Sequence, residues 1–346
     1  RQPASTIKPL AVYAPAIENR LITPATLILD EPINYDGYSP KNYNGKYEGW
    51  ISVRKALSTS NNIAAVKTLK TIGVDTAAEF LKRVNLDLNE QDSGLSLALG
   101  GLHKGVSLYD LTQAYTIFAN GGVFDKCSLV KKITTKDGIV LYQSKPNPQK
   151  VLQQDTAYLI TDMLQTAAKE GTAKRLRDFP YQVAAKTGTN SFLKSALNND
   201  AYCISYTSKH TIGVWLGNIS NDKKGALPSN VTGGTYPTMI AKNIIKSLYK
   251  DNPPPNFKRP NTIVYADIDL KEYHKNQTIV LANASSAPRY RKTEVFSIYN
   301  LPPKAVNIKW ETRQKNIIEN KKQSFLDRMI EFITNKKNQL KKSKAS

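Results

Sequence analysis

The 346-residue chain is predicted to fold as an α+β domain built on an antiparallel sheet. Three segments rich in β-branched and aromatic residues, VAAKTGT, DAYCISYTS and HTIGVWLGN, follow one another with short connections. Short connections join antiparallel neighbours, so these segments are expected to form a meander. Helical periodicity precedes and follows the meander, and the 40% apolar content is enough for a proper core.

The helices are predicted from apolar residues that recur at helical spacing. The first covers residues 5–14, and Pro15 should end or kink it, because proline lacks the N–H that a helix interior needs. Gly121 and Gly122 should end a later helix as C-terminal breakers. The remaining helices are predicted over residues 53–57, 63–72, 76–84, 108–120, 156–168 and 239–249.

The segments between these helices predict loops and one hairpin, and the composition of the chain changes near residue 253. Residues 35–50 are dense in Gly, Asn, Tyr and Pro and should form a long surface loop. Asp137-Gly138 should turn a hairpin within LVKKITTKDGIVLYQS. We expect a main domain at 1–252, a proline linker with a small β-rich module at 253–312, and a basic helical or disordered tail at 313–346.

Charge and metal-ligand residues narrow the function classes. The net charge of +21 favours anionic surroundings, but no helix-turn-helix, RNP or zinc signature supports nucleic acid as the partner. Cys127 and Cys203 encode neither a disulfide framework nor a thiolate site, and His103, His210 and His274 are isolated, so we expect no metal and no cofactor. No apolar run is long enough to span a membrane, and the absence of an initiator Met and signal peptide suggests a cut N-terminus.

The spacing S-x-x-K is used by enzymes that activate a serine with a lysine, and this chain contains it repeatedly. The copies begin at Ser5, Ser52, Ser128, Ser191, Ser220 and Ser247. Only the copy of Ser5 and Lys8 is followed directly by proline, and Pro9 cannot donate to the carbonyl of residue 5. Ser5 is therefore expected at a helix N-terminus, with its N–H free and Lys8 on the same face.

Two further motifs occur once each, S-x-N at Ser60 to Asn62 and K-T-G at Lys186 to Gly188. Their order after S-x-x-K resembles that of the penicillin-binding proteins and the class A β-lactamases. A serine hydroxyl needs a base, and Lys8 can act as one only when neutral. Desolvation and a second cation, Lys186, would favour neutral Lys8, and Ser60 would then relay a proton to the leaving amine.

The same resemblance assigns binding roles. Asn62 would hold the substrate amide, and the N–H groups of Ser5 and Thr189 would form an oxyanion hole. Gly188, which has no side chain, would let an extended peptide lie against the strand edge. The substrate carboxylate would be bound by Lys186, Thr187 and Thr189.

The stretches RQPASTIKPL and LALGGLHKGVSLYDLTQAYTIFANGGVF narrow the resemblance to the transpeptidase domain of class A penicillin-binding proteins, over about residues 1–249. This implies a β-lactamase/transpeptidase-like fold (αβα), with a mostly helical subdomain that carries Ser60. Gly171 and Thr172 would lie at the rim of the cleft. Ala4 departs from the family's usual glycine, which is a strain if residue 4 has positive φ.

The resemblance implies a D,D-transpeptidase that forms a Ser5 acyl-enzyme with peptidoglycan stem peptides and is inhibited by β-lactams. The parent protein is expected to be bifunctional, with a glycosyltransferase domain acting on lipid-linked glycan strands. Residues 1–252 would then be a transpeptidase domain that lacks its N-terminal part. It would lie at the outer face of the bacterial cytoplasmic membrane, held by an anchor outside this chain, and the basic tail could meet anionic wall polymers or membrane lipids.

Three alternatives remain open at this stage. A D,D-carboxypeptidase differs only in using water as the acceptor. A serine β-lactamase needs an extra carboxylate to activate the deacylating water, yet E-x-x-L-N is absent between Ser60 and Lys186, where Glu170 stands without that pattern. A catalytically silent penicillin-binding sensor belongs to another class, but the intact motif residues argue against it.

Overall fold

The computed structural model describes residues 1–193, 195–220 and 222–303, and Arg1–Pro303 forms one compact unit. Its helices are α1 (Ala14–Glu18), α2 (Val53–Ser58), α3 (Asn62–Ile72), α4 (Val74–Arg83), α5 (Leu108–Ala114), α6 (Thr116–Ala119), α7 (Gln154–Lys169), α8 (Tyr236–Leu248) and α9 (Leu270–Asn276). Its strands are β1 (Leu27–Asp30), β2 (Gly49–Ser52), β3 (Val123–Phe124), β4 (Lys132–Thr134), β5 (Val140–Gln143), β6 (Gln149–Lys150), β7 (Ala184–Ser191), β8 (Asn198–Tyr206), β9 (Thr211–Gly217), β10 (Ile263–Asp269) and β11 (Arg291–Ser297). The predicted tail and residues 304–312 of the predicted module lie outside the described residues.

The predicted antiparallel meander is present as the sheet β7-β8-β9. β8 is buried along its whole length because helices cover both faces of the sheet. On β9, Gly213 faces Thr112 of α5, whereas the next residue, Val214, packs with Ala241 of α8. Successive strand residues point to opposite faces, so α5 and α8 lie on opposite sides of the sheet. The α+β prediction, with helices flanking an antiparallel sheet, is confirmed.

The N-terminal helical segment is longer than predicted and changes its winding twice. It runs as a 3-10 turn (Ala4–Ile7), a π-helical stretch (Pro9–Tyr13) and α1. The prediction that Pro15 ends the helix is wrong. Pro15 lies in the first turn of α1, where its fixed φ suits a helix, and α1 continues to Glu18.

Several other elements match or refine the sequence prediction. The hairpin β4-β5 turns at Gly138, which has φ +85, as the Asp-Gly pair predicted. The helix predicted over 108–120 is divided at Tyr115 into α5 and α6. The loop predicted over 35–50 ends within β2, which pairs with β1, and β1 was not predicted.

The strands β10 and β11 of the predicted C-terminal module pair antiparallel and pack against α7. Arg54 of α2 joins this region to the rest of the unit through ion pairs of 2.5 Å to both Glu294 and Asp162. The Arg54 side chain is 15% exposed and that of Glu294 4%, so the pair is largely removed from water. The division at residue 252 stays a prediction.

Candidate active site

Ser5 lies in the 3-10 turn that starts the N-terminal helical segment, as predicted from Pro9. Because Pro9 has no N–H, the carbonyl of Ser5 accepts instead from the N–H of Lys8, which closes a tighter turn. The residues ahead of Ser5 are tied to the segment 102–106. The N–H of Val106 donates to the Arg1 carbonyl at 2.8 Å, and the N–H of Leu102 donates to Gln2 Oε1 at 2.7 Å.

Ala4 has φ +49, the left-handed region in which a Cβ is strained. Residue 4 therefore has the positive φ at which the sequence analysis expected strain, and alanine in place of the family's glycine is strained there. The backbone cannot relax easily, because Gly100 packs so closely that a Cβ there would lie 2.4 Å from the Ala4 carbonyl oxygen. The strain is held directly beside Ser5, the predicted nucleophile.

Lys8 is fully buried and its ammonium group is directed at the S-x-N motif. Its Nζ donates to the Ser60 carbonyl at 2.7 Å, to the Asn61 carbonyl at 3.2 Å and to Asn62 Oδ1 at 2.6 Å. The other end of the Asn62 amide donates to the Lys41 carbonyl at 2.8 Å. In this structure Asn62 therefore positions Lys8.

Ser60 joins the two lysines. Its Oγ accepts from Lys186 Nζ at 2.7 Å and lies 3.4 Å from Lys8 Nζ. Ser60 has φ +62, a conformation that serine adopts only when its surroundings impose it. The three motifs predicted from separate parts of the chain thus converge on one hydroxyl.

The buried lysines are electrostatically unusual. Burial lowers the pKa of Lys8 well below the ordinary lysine value, and the charge of Lys186 lowers it further. Burial also lowers the pKa of Lys186 to about 7. A lysine that loses its proton near neutral pH can act as a base, which an exposed lysine does poorly.

Two glycines in the predicted site permit close backbone approach. A Cβ at Gly188 would lie 3.0 Å from both the Pro3 carbonyl oxygen and Thr6 Cγ2. Its missing side chain lets the turn that carries Ser5 pack against β7, and its predicted role in admitting an extended peptide stays a prediction. A Cβ at Gly171 would lie 2.2 Å from the Ser58 carbonyl oxygen, so Gly171 brings its own segment against the S-x-N loop.

The convergent residues line a cleft of about 760 Å³. Its walls include Ser5 and Ser60 together with Thr172, Thr187 and Thr189. Thr187 Oγ1 donates to Thr172 Oγ1 at 2.6 Å, which joins the K-T-G strand to the predicted rim. Asn62 and Gly188 line the same cleft, whereas Lys8 and Lys186 are fully buried and do not line it.

The loop 231–235 was missed by sequence reasoning. Gly233 donates its N–H to Thr189 Oγ1 at 3.0 Å, and Thr232, Gly234 and Thr235 line the cleft. A Cβ at Gly233 would lie 2.5 Å from the Gly188 carbonyl oxygen, so this loop lies against β7. Its signal in the sequence was the small, polar run VTGGT, which indicates a site residue only once its contact with β7 is known.

Arg1 was also not assigned as a site residue. Its Nε forms an ion pair of 2.9 Å with Asp200, which is 1% exposed and also accepts from Trp215 Nε1 at 3.0 Å. Asn190 donates to the other carboxylate oxygen of Asp200 at 3.1 Å. This buried anchor on β8 holds the segment that presents Ser5.

Within the described residues, no group of three or more His, Cys, Asp or Glu side chains could hold a metal ion. In the same part of the chain, none of the helices combines the length and apolar character needed to cross a bilayer.

Comparison with known proteins assigns the family. A family model described as the penicillin binding protein transpeptidase domain matches residues 1–246. Penicillin-binding protein 1F of Bacillus subtilis (strain 168) is 39% identical over 246 residues, 71% of this chain and 34% of that protein. Penicillin-binding protein 1A of Clostridium botulinum (strain Hall) is 33% identical over 284 residues, 78% of this chain and 33% of that protein. This chain spans about a third of the length of the curated relatives it matches.

Solved structures show the same fold. Penicillin-binding protein 1A from Haemophilus influenzae superimposes with a TM-score of 0.73 at 23% identity, over 88% of this chain and 49% of that chain. PonA1 from Mycobacterium tuberculosis, solved in complex with penicillin V, gives 0.66 at 22% identity, over 75% and 72%. The predicted β-lactamase/transpeptidase-like fold is confirmed by these likenesses. With three ordered motifs converging on one cleft, the chain belongs to the penicillin-binding protein transpeptidase family, in the class A group that its sequence resembles.

Proposed function

We propose that this chain is the transpeptidase domain of a cell-wall cross-linking enzyme, a D,D-transpeptidase that works through a Ser5 acyl-enzyme and is inhibited by β-lactams. The observation that carries the proposal is the convergence of Lys8 and Lys186, both fully buried, on Ser60 at a cleft that Ser5 lines. Family membership supports the same activity.

In the proposed acylation, neutral Lys8 takes the proton of Ser5 Oγ, which attacks the penultimate D-alanine carbonyl of a stem peptide. The new Oγ–C bond forms and the C–N bond to the terminal D-alanine breaks. Ser60 passes a proton to the leaving amine, and its 2.7 Å bond from Lys186 supplies the return path. The low pKa of Lys8 is what makes its neutral form accessible.

Charge developed on the substrate would be met by fixed groups. The N–H groups of Ser5 and Thr189 would receive the oxyanion, and the hydroxyls of Thr187 and Thr189 would bind the terminal carboxylate. Lys186 is 0% exposed, so it would act on the carboxylate through its charge. Asn62, which also holds Lys8, would position the donor amide with its remaining capacity for hydrogen bonds.

The cleft disfavours the β-lactamase alternative. Glu170 is exposed at the end of α7 and does not line the cleft. Among the described residues that line the cleft, the carboxylate group is that of Asp178, and Asp178 is paired with Lys242 at 2.7 Å. A deacylating water near Ser5 would therefore lack the carboxylate base that rapid β-lactam turnover needs.

The proposal extends to a longer parent protein, because the matched part of this chain covers about a third of the length of its relatives. That protein would be bifunctional, adding a glycosyltransferase that acts on lipid-linked glycan strands. It would be held at the outer face of the bacterial cytoplasmic membrane, with this domain extracytoplasmic. The net charge of +21 suits a neighbourhood of anionic wall polymers and lipid head groups.

The decisive test is labelling with a fluorescent penicillin, followed by mapping of the labelled peptide by mass spectrometry. The label should lie on Ser5 and vanish in Ser5→Ala. Ser128→Ala is the matched control, because Ser128 also begins an S-x-x-K but is exposed and does not line the cleft. A label on any serine other than Ser5, or no label, would overturn the proposal.

Two kinetic measurements separate the alternatives. A chromogenic cephalosporin should give one stoichiometric burst and then very slow turnover, whereas rapid turnover would identify a β-lactamase. A stem peptide ending in D-Ala-D-Ala should give an amide product when an amine acceptor is added. Release of D-alanine with water as the sole acceptor would instead identify a carboxypeptidase.

A further inference from the structure

The cleft continues in two directions from Ser5, and the two arms differ in charge. One arm is the cleft of about 760 Å³ that reaches past Thr187. The other, of about 470 Å³, passes Leu99 and Asn198. Ser5, Asn62 and Thr189 line both, so the reacting centre lies where the arms meet.

The arm beyond Thr187 ends in cations. Lys174, Arg175, Arg177 and Lys242 line it against one carboxylate, Asp178, which leaves a net charge of +3. Arg175 Nε is held by the Gly234 carbonyl at 3.0 Å. Among the described residues that line the opposite arm, the charged one is Lys41. Lys174, Arg175 and Arg177, the basic end of this arm, follow Thr172 closely in the chain. Thr172 is in turn hydrogen-bonded to Thr187.

The chemistry decides which substrate meets this basic end. In acylation the terminal D-alanine, whose carboxylate is bound at Thr187 and Thr189, must leave through the arm that Thr187 lines. Aminolysis of the acyl-enzyme is the reverse of that step with a different amine, so the acceptor nitrogen must enter from the same side. The donor peptide remains attached to Ser5 and occupies the opposite arm.

We propose that Lys174 and Arg177 form an acceptor subsite that selects amines bearing a nearby carboxylate. This inference rests on the proposed function and names the acceptor class for it. The amine nitrogen attacks the ester carbonyl, its C–N bond forms and the C–Oγ bond to Ser5 breaks. The proton lost by the amine passes through Lys8 to Ser5 Oγ, so the free enzyme is restored. The carboxylate, which does not react, is bound at Thr187 and Thr189 like that of the leaving D-alanine, and the cations that line the same arm favour it through their charge.

The subsite can be tested by the partition of one common acyl-enzyme. The full chain is acylated with a D-alanyl thioester donor, and D-alanine or D-alaninamide is supplied as the competing acceptor. Mass spectrometry gives the ratio of transfer to the two amines. In Lys174→Gln/Arg177→Gln this ratio should fall by roughly three- to tenfold, because exposed ion pairs each contribute modestly. Raising the ionic strength should lower the wild-type ratio in the same direction.

The control is Lys132→Gln/Lys136→Gln, which removes two exposed charges on and beside the hairpin strand β4, away from the cleft walls. Its ratio should equal that of the wild type. Since both acceptors meet the same acyl-enzyme, differences in folding or acylation cancel. An unchanged ratio in the Lys174/Arg177 variant overturns the subsite, and so does acylation of the wild type without transfer to either amine. Loss of penicillin labelling in the wild type would instead overturn the proposed function itself.

Discussion

Replacing Lys186 by Met should change how the stability of this domain depends on pH. Burial lowers the pKa of Lys186 to about 7, whereas the unfolded chain binds the proton up to about 10.5. Between these values the unfolded state holds more protons than the folded state, so this lysine makes stability rise with pH. Below pH 7 the folded protein carries the full cost of a buried ammonium.

The size of the effect follows from the same two pKa values. Linkage for a single group with these values gives about 3 kcal/mol between pH 6 and pH 9. Lys186→Met loses this dependence along with the hydrogen bonds to Ser60 and Thr187, which shift its stability at every pH. Relative to the wild type, the free energy of unfolding of the variant should therefore be about 3 kcal/mol higher at pH 6 than at pH 9. For a compact unit of this size that is roughly 5 °C in Tm.

The assay is thermal unfolding of wild type and Lys186→Met at pH 6 and pH 9, with the change in their Tm difference as the readout. Lys82→Met is the control, because Lys82 is exposed on α4 and its ammonium stays in water. A Tm difference between wild type and Lys186→Met that is the same at both pH values would refute the lowered pKa of Lys186. Labelling by penicillin should be lost in the same variant.

Three further predictions concern the frame around Ser5. Ala4→Gly should be about 1–2 kcal/mol more favourable than Ala14→Gly in urea unfolding, because each removes a buried methyl but φ is +49 at Ala4 and −63 at Ala14; equal losses would argue against the strain. Arg1→Gln should lower stability by about 1–3 kcal/mol and slow acylation, because Asp200, 1% exposed, loses its cation; an unchanged acylation rate would show that Arg1 does not position Ser5. Arg54→Met should cost about 3–4 kcal/mol by leaving two carboxylates without their cation, with penicillin labelling at Ser5 retained; a neutral result in unfolding would contradict it.

Much of the secondary structure could be predicted because its causes are local. Helical spacing predicted α3, α4 and α7 to within two residues at each end, and Asp137-Gly138 predicted its hairpin turn. The secondary-structure prediction failed where pairing with a distant segment determines the structure. β1 has no strong pattern of its own and becomes a strand by pairing with β2 across the loop 35–48.

The sequence predicted which residues form the candidate site better than it predicted the contacts between them. Pro9 located Ser5 at a helix start through a local rule, since a missing N–H acts within one turn. The packing of Gly188 against Pro3 and Thr6 could not be predicted, because only the folded structure shows which groups lie where its Cβ would be. The loop 231–235 could not be found at all without its neighbour β7.

By itself, the sequence determined the candidate nucleophile, the order of the three motifs, the family and the elements that local periodicity and turn chemistry specify. The tertiary structure alone decided that Lys8 and Lys186 are both buried and meet at Ser60 and that Asp200 anchors Arg1. It also decided that cations gather at one end of the cleft. The physical reason is that burial, pKa and charge density depend on groups far apart in the chain, whose distances are set only when the core packs.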